Sequence, residues 1–472
     1  MNVLVLDLTH GGGLIAQSLT ETETDTVTAV DVYHTTDDRA RRNLESCGIS
    51  VLREPPSAGD FDLIISPVHL DSAYPTLSDA RAAEIPVITH HAAVAKILRT
   101  QLNGCMVIEV TGTTAKTSTA RILAGMLSAC TDRRTISHTS AGVEVRGCGE
   151  SGVEARVIAK FSIAPASIIA VLRSIEAELG SRLGLGLGHE SDSESKSKRD
   201  SESKSKSEHR PNPDVLIFEV SLGGTGLADI GIVTTLSGDY LIANNTGTAS
   251  EAKMQMINLA KPGSTLIIGG DVPSNSDRRT FTFGDSGDVC FERIDAERAV
   301  IRAMGRQIEF GVNDYDIFSY QTAILSAVTA AISIGVDCGC IESFLDSFSG
   351  VSGRMRVAQV DCRTIVDNSN SGMTIASAES AIEHARRIAG DSGAAKVVLI
   401  IGIEEYNVCE GLDLEKVVEL IERNSDFVDS VITVGVNSDS AHRATDLNMG
   451  LDLAITQTGA GDMIISCVKC FR

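Results

Sequence analysis

The chain has 472 residues, 43% of them hydrophobic and 22% charged, with 41 basic side chains against 63 acidic ones and a formal charge of -22. That length suits about three domains, and the balance suits packed domains rather than a disordered chain. So negative a surface would repel a phosphate backbone, which excludes general nucleic-acid binding and leaves anionic ligands dependent on local positive groups.

No uninterrupted apolar run is long enough for a membrane helix. The opening "MNVLVLDLTHGGG" lacks a basic start, so the expected location is the cytoplasm. Eleven irregularly spaced cysteines suit reduced thiols. The pairs at 338–340 and 467–470 lack a second pair at finger-like spacing and are read as structural.

Residues 1–100 alternate short β-rich runs ("NVLVLDL", "TVTAVDV", "DLIIS", "PVITH") with the helical "GGLIAQSL" and "TLSDARAAE", which predicts a parallel sheet in an α/β layer. "DLTHGGG" (7–13) follows the first strand, where such sheets bind ligands, but it is not the dinucleotide fingerprint. Residues 101–350 form a second unit with strands "DVLIFEV", "IGIVTTL" and "STLIIGGD" and an apolar helix at 320–335. Within it, 184–213 is a glycine-rich lead-in followed by a Ser-rich run carrying six acidic and six basic side chains between Glu190 and Arg210. With nothing apolar to bury, it is expected to be a solvated loop without chemistry. Residues 351–472 make a third α/β unit with strands "RTIVDN", "KVVLIIGI", "SVITVGV" and "DMIISCV".

Thr111, Gly112, Thr113, Thr114, Ala115, Lys116, Thr117 and Ser118 stand between the strand "MVIEV" and a run of helical spacing. This approximates a P-loop, in which backbone N–H groups and a helix start hold phosphate oxygens. Lys116 would neutralise transferred phosphate, and the Thr117 hydroxyl would help hold Mg²⁺. Ala115 replaces a glycine. Alanine can take right-handed helical angles, whereas a positive φ would cost it about 1–2 kcal/mol. The metal also needs a carboxylate, and Glu219 ends the most apolar strand, where an uncompensated charge is expensive.

"TGTTAKTS" with Glu219 downstream resembles the Mur ligases and folylpolyglutamate synthetases. The resemblance implies a three-domain architecture with a P-loop central domain, and ATP with Mg²⁺ activating a carboxylate. It also implies roles. Lys116, Glu219 and Arg354 (in "SGRMRV") would be catalytic, with Thr117 and Glu219 on the metal. Asp367 and Asn370 (in "TIVDNSNSG") would lie near the nucleotide, Asn370 replacing a histidine. Asp239 matches the family pattern, Tyr240 replaces a histidine of the second metal position, and Lys253 falls near a lysine that some members carbamylate.

Within the family, "VLVLDLTHGG", "SIAPAS" (162–167) and "SCVKCFR" are similar to a branch acting on nickel tetrapyrroles rather than on cell-wall precursors. This implies a nickel tetrapyrrole as small-molecule substrate, a propionate activated as acyl phosphate and ring closure by carbon. His10, His69, His90 and His91 are candidates for accepting the carbon-bound proton, although each also reads as a structural or solvated histidine. Two other functions stay open: an amino-acid-adding ligase of the same family, and a P-loop module that holds ATP without chemistry. Excision of 186–210 is expected to leave ATP turnover intact, and loss of turnover in a folded deletion variant would contradict the reading of that segment.

Overall fold

The first five strands pack side by side in the order Ser50–Leu52, Thr26–Val30, Asn2–Leu6, Leu63–Ser66, Val87–Thr89, every pair parallel. Leu63–Ser66 is buried throughout, and Asn2–Leu6 at all but its first residue, as strands covered on both faces must be. The chain winds outward from the first strand to one side and then to the other. A crevice therefore opens at the carboxyl ends of Asn2–Leu6 and Leu63–Ser66. The helix Asp38–Ser46 and the edge strand Ser50–Leu52 were not anticipated, since "DRARRNLES" buries only Leu44. The computed structural model describes residues 1–21, 26–102, 104–149, 152–179, 214–273, 277–295, 297–390, 396–404, 412–435 and 442–471, so the whole of the 184–213 insert and its expected solvated loop lie outside the described residues.

The second sheet has eleven strands. Arg279–Phe283, Thr265–Gly269, Ile230–Val233, Met106–Thr111, Val215–Glu219 and Thr135–Thr139 form its parallel middle. Antiparallel strands extend both edges, Gly142–Gly149 and Gly152–Ala159 on one side and Val289–Ile294, Arg298–Ala303 and Arg306–Gly311 on the other. The strand Thr265–Gly269 is followed in sequence by four more in the same sheet, none of which was anticipated. These edge strands are half-exposed and polar, and their best local signal is the two-residue turn Met304–Gly305, with φ of 49° and 83°. The third sheet runs Arg356–Val360, Arg363–Asp367, Met463–Lys469, Val397–Ile403, Ser430–Val434, Arg443–Ala444, parallel except for its first pair.

Alternation along the middle strands divides their side chains between two cores. Ile108, Val110, Ile217 and Ile232 face the helices Lys116–Cys130 and Ile317–Ser333, in a core that continues to Leu399, Ile401 and Ile465 of the third sheet. Val107, Leu216 and Phe218 face the other way, into a core shared with Val3, Val5 and Ile65 of the first sheet.

The passage to the third sheet is pinned by Tyr320, whose hydroxyl, 1% exposed as a residue, accepts from Val351 N at 2.7 Å. Asp316, which caps Ile317–Ser333, also pairs with Arg387 at 3.1 Å and His384 at 3.3 Å on the helix Ile375–Ala389. Tyr320→Phe leaves the Val351 N–H buried without its acceptor and should cost about 1–3 kcal/mol. An unchanged thermal unfolding midpoint would refute that assignment.

Candidate functional site

The loop after Met106–Thr111 is braced by the end of its neighbour strand. Thr113 N donates to Thr235 O (2.9 Å), Thr113 Oγ1 to Ser237 O (2.6 Å), and Thr234 N to Thr111 O (2.9 Å). Asp271 Oδ2 accepts from Leu236 N and Ser237 N and holds that brace in turn. Gly112 sits at φ 144°, and any Cβ there would run into the Thr234 side chain. Ala115 takes φ 63°, so the second alternative weighed from sequence holds, and a left-handed alanine starts the helix Lys116–Cys130. Its methyl packs against the adjacent core. The first turn of an α-helix has N–H groups without intrahelical acceptors and a partial positive charge, which suits phosphate oxygens. Lys116 Nζ folds back over this loop, donating to Gly112 O (3.0 Å) and Thr113 O (3.4 Å). Thr114 O accepts from Thr234 Oγ1 at 2.6 Å, and Ser118 lies buried in the helix's first turn.

Glu219 ends its strand 3% exposed. The Thr117 hydroxyl donates to its two oxygens, at 3.0 and 2.9 Å, and Ser140 N donates to Oε2 at 3.0 Å. From 237 residues along the chain, Arg354 Nη2 donates to Thr117 Oγ1 at 3.0 Å. Burial pulls the Arg354 guanidinium below its ordinary value, while Glu219 opposes that shift. Arginine stays charged through such a shift. A carboxylate this buried would cost several kcal/mol unpaired, so the guanidinium and the donors around Glu219 are what make it tenable. Thr117, Arg121, Ser140, Arg354, Ser369 and Asn370 line a small cleft between the second and third sheets. Hydroxyl and carboxylate oxygens at Thr117 and Glu219 suit a hard divalent cation.

Asp367 and Asn370 meet this site through the backbone. Asp367 Oδ2 accepts from Gly353 N (2.9 Å), and Asn370 Nδ2 donates to Gly353 O (2.7 Å), so the two grip the peptide beside Arg354. Asp239 Oδ1 accepts from Ser250 N at 2.8 Å. Lys253 is buried with its ammonium 4.8 Å from the centre of the Tyr240 ring.

The four histidines separate into two kinds. His90 and His91 are buried, each with Nε2 2.9 Å from a backbone oxygen, Leu6 O and Ser221 O, and burial pushes both down to about 4. His10 and His69 instead converge on Asp7 at the mouth of the first-sheet crevice. Sequence reasoning missed Asp7, Ser140, Thr234 and Asp271. Asp7 had a signal, an acid ending the first strand three residues before His10, whereas Ser140 and Thr234 act through contacts distant in sequence.

A P-loop-like turn in the middle of three α/β sheets, reached by an arginine from the third, is the build of a Mur-type ligase. The fold is similar to that of MurF from Acinetobacter baumannii (TM-score 0.54, 14% identity, 96% of this chain and 95% of that one). It is also similar to MurF from Thermotoga maritima in complex with ADP (TM-score 0.52, 15% identity, 97% and 96%). The bifunctional folylpolyglutamate synthase/dihydrofolate synthase from Yersinia pestis, complexed with AMPPNP and Mn ion, matches at TM-score 0.52 and 15% identity over 80% and 89%. Residues 357–470 match the family model described as coenzyme F430 synthetase CfbE, C-terminal domain. The coenzyme F(430) synthetase of Methanosarcina acetivorans is 38% identical over 99% of this chain and 98% of its own length. The chain belongs to the coenzyme F430 synthetase family and is an ATP-dependent ligase.

Replacing Ala115 by glycine relieves about 1–2 kcal/mol of left-handed strain and costs about 0.4–1 kcal/mol through the freer unfolded chain. Ala115→Gly should therefore stabilise by about 0.5–1 kcal/mol, and Ala115→Val should destabilise. Thermal unfolding that shows glycine to be the less stable variant would overturn this reading of the loop.

Proposed function

We propose that the chain phosphorylates a propionate side chain of a nickel tetrapyrrole seco-precursor with ATP and then closes a carbocyclic ring to give coenzyme F430. The observation that carries this reading is the convergence of Thr117, Glu219 and Arg354 beside the loop that Lys116 covers. A carboxylate and a phosphate are both anions, so their meeting needs fixed positive groups where charge builds up. Lys116, Arg354 and the helix start supply them, and Thr117 and Glu219 would hold Mg²⁺, which would add further charge neutralisation.

A carboxylate oxygen attacks the terminal phosphorus and ADP leaves. A ring carbon then gives up its proton and bonds to the acyl carbon, phosphate leaves, and the tetrapyrrole has lost one water. The second step is intramolecular, so alignment alone can contribute up to ~7–11 kcal/mol. The protein must hold the side chain over the ring edge and keep water from the acyl phosphate. A carboxylate-rich substrate in so acidic a chain requires local positive groups, and Arg121 and Arg354 stand together in the small cleft beside the phosphate loop. We place the domain bounds of this reading near 100 and 350 and the enzyme in the cytoplasm; among the described residues no helix is long and apolar enough to cross a membrane.

Purified protein mixed with ATP, Mg²⁺ and the seco-precursor should release ADP and yield a product lighter by one water. Lys116→Ala should lower turnover by about 100-fold or more. No mass change with a competent precursor would defeat the proposal, and ADP release stimulated by an amino acid would favour amide formation instead.

A further inference from the structure

Three ligand-capable side chains meet at the carboxyl end of the first sheet, away from the residues assigned to phosphate transfer. His10 Nδ1 lies 2.6 Å from Asp7 Oδ2, His69 Nε2 lies 3.2 Å from that same oxygen, and the two ring nitrogens are 3.1 Å apart. Among the described residues, no other trio of His, Cys, Asp or Glu brings its ligand atoms within 4.8 Å of one another. We infer that Asp7, His10 and His69 form a binding site for a divalent transition-metal ion.

The distances favour an ion over a hydrogen-bond cluster. Around a metal bonded at about 2.1 Å, neighbouring donors of a tetrahedral or octahedral set lie roughly 3.0–3.4 Å apart. Two of the three separations fall in that interval, and the third widens by a few tenths of an ångström. Hydrogen bonding uses the same arrangement poorly. Asp7 Oδ1 already accepts from Thr9 N at 2.9 Å, so two imidazole nitrogens compete for Oδ2. If both are protonated their hydrogens crowd, and if one is bare its lone pair faces the carboxylate.

The surroundings are built to hold the set. Asp7 is fully buried at φ 70°, an unfavourable angle for aspartate, with its amide fixed on Val30 O at 3.1 Å. Tyr33 stacks beside His69, with ring centres 6.5 Å apart. Gly11, at φ 98°, lies so close to Ala166 that a Cβ would stand 2.6 Å from the Ala166 methyl, which fixes the turn carrying His10 against residues 162–167. The His10 and His69 side chains are 39% and 26% exposed, leaving one side of the trio open.

Two imidazoles and one carboxylate select borderline ions such as Zn²⁺, Co²⁺ or Ni²⁺, with open positions for water or a carboxylate oxygen. A metal already held in the plane of a macrocycle offers only axial positions and could not accept three converging donors. The site is therefore one for a free ion, and it does not rest on the reaction proposed above. A ligand set and a proton acceptor are different uses of these imidazoles, which binding measurements separate.

The test is Co²⁺ titration of the chelator-treated full chain, read by visible absorption, with Zn²⁺ and Ni²⁺ as competitors. One equivalent should bind, and His10→Ala or His69→Ala should weaken it by more than the ~10–100-fold typical of losing an outer-sphere partner. Asp7→Asn keeps the side-chain shape and should weaken binding too. Should an alanine variant fail to fold, His10→Gln and His69→Gln replace it. No saturable uptake of any of the three ions, or unchanged affinity in a folded His10/His69 double variant, overturns the proposal.

Discussion

The architecture around the phosphate loop depends on one buried charge. Glu219 ends a strand walled in by neighbours on both sides, where a lone carboxylate would not be tolerated. It is stabilised by the Thr117 hydroxyl, the Ser140 amide and the nearby Arg354 guanidinium. The first two come from the second sheet, but the arginine comes from the entrance to the third. One electrostatic need thus ties the phosphate loop, the strand end and the C-terminal sheet into a single constellation.

The cores reinforce that tie. The middle strands of the second sheet contribute one face to a core reaching the third sheet and the other to a core reaching the first. The sheet therefore works as a partition, and its carboxyl edge, where Thr111 and Glu219 lie, is where loops from all three regions can meet. Side chains placed there are set by packing on both sides at once, which suits a site that must hold oxygens within tenths of an ångström.

What could be read from sequence follows from how local the physics is. The α/β class and the strand–loop–helix at 106–130 were legible because apolar runs, a glycine turn and a lysine–threonine pair are contiguous. Glu219 and Arg354 stood out as a charge at the end of an apolar strand and as part of a short motif. The antiparallel edges were missed because half-exposed strands such as Arg298–Ala303 mix polar and apolar residues without a long run. The contacts made by Asp367 and Asn370 were not legible either, since their partner, Gly353, is identifiable only once the third sheet is folded. The sign of φ at Ala115 depended on how the loop is braced by Thr234 and Thr235, more than a hundred residues away.

The pin at Tyr320 has a mechanical consequence. Val351 is held to the second unit, whereas Gly353 is clamped by Asp367 and Asn370 of the third. Beyond those anchors Asp316 N donates to Met355 O and Val357 N to Asp314 O, so the stretch that carries Arg354 is fastened to both units at once. The position of its guanidinium beside Thr117 is therefore set jointly by two separately packed sheets, and a shift of either relative to the other would be felt first at that contact.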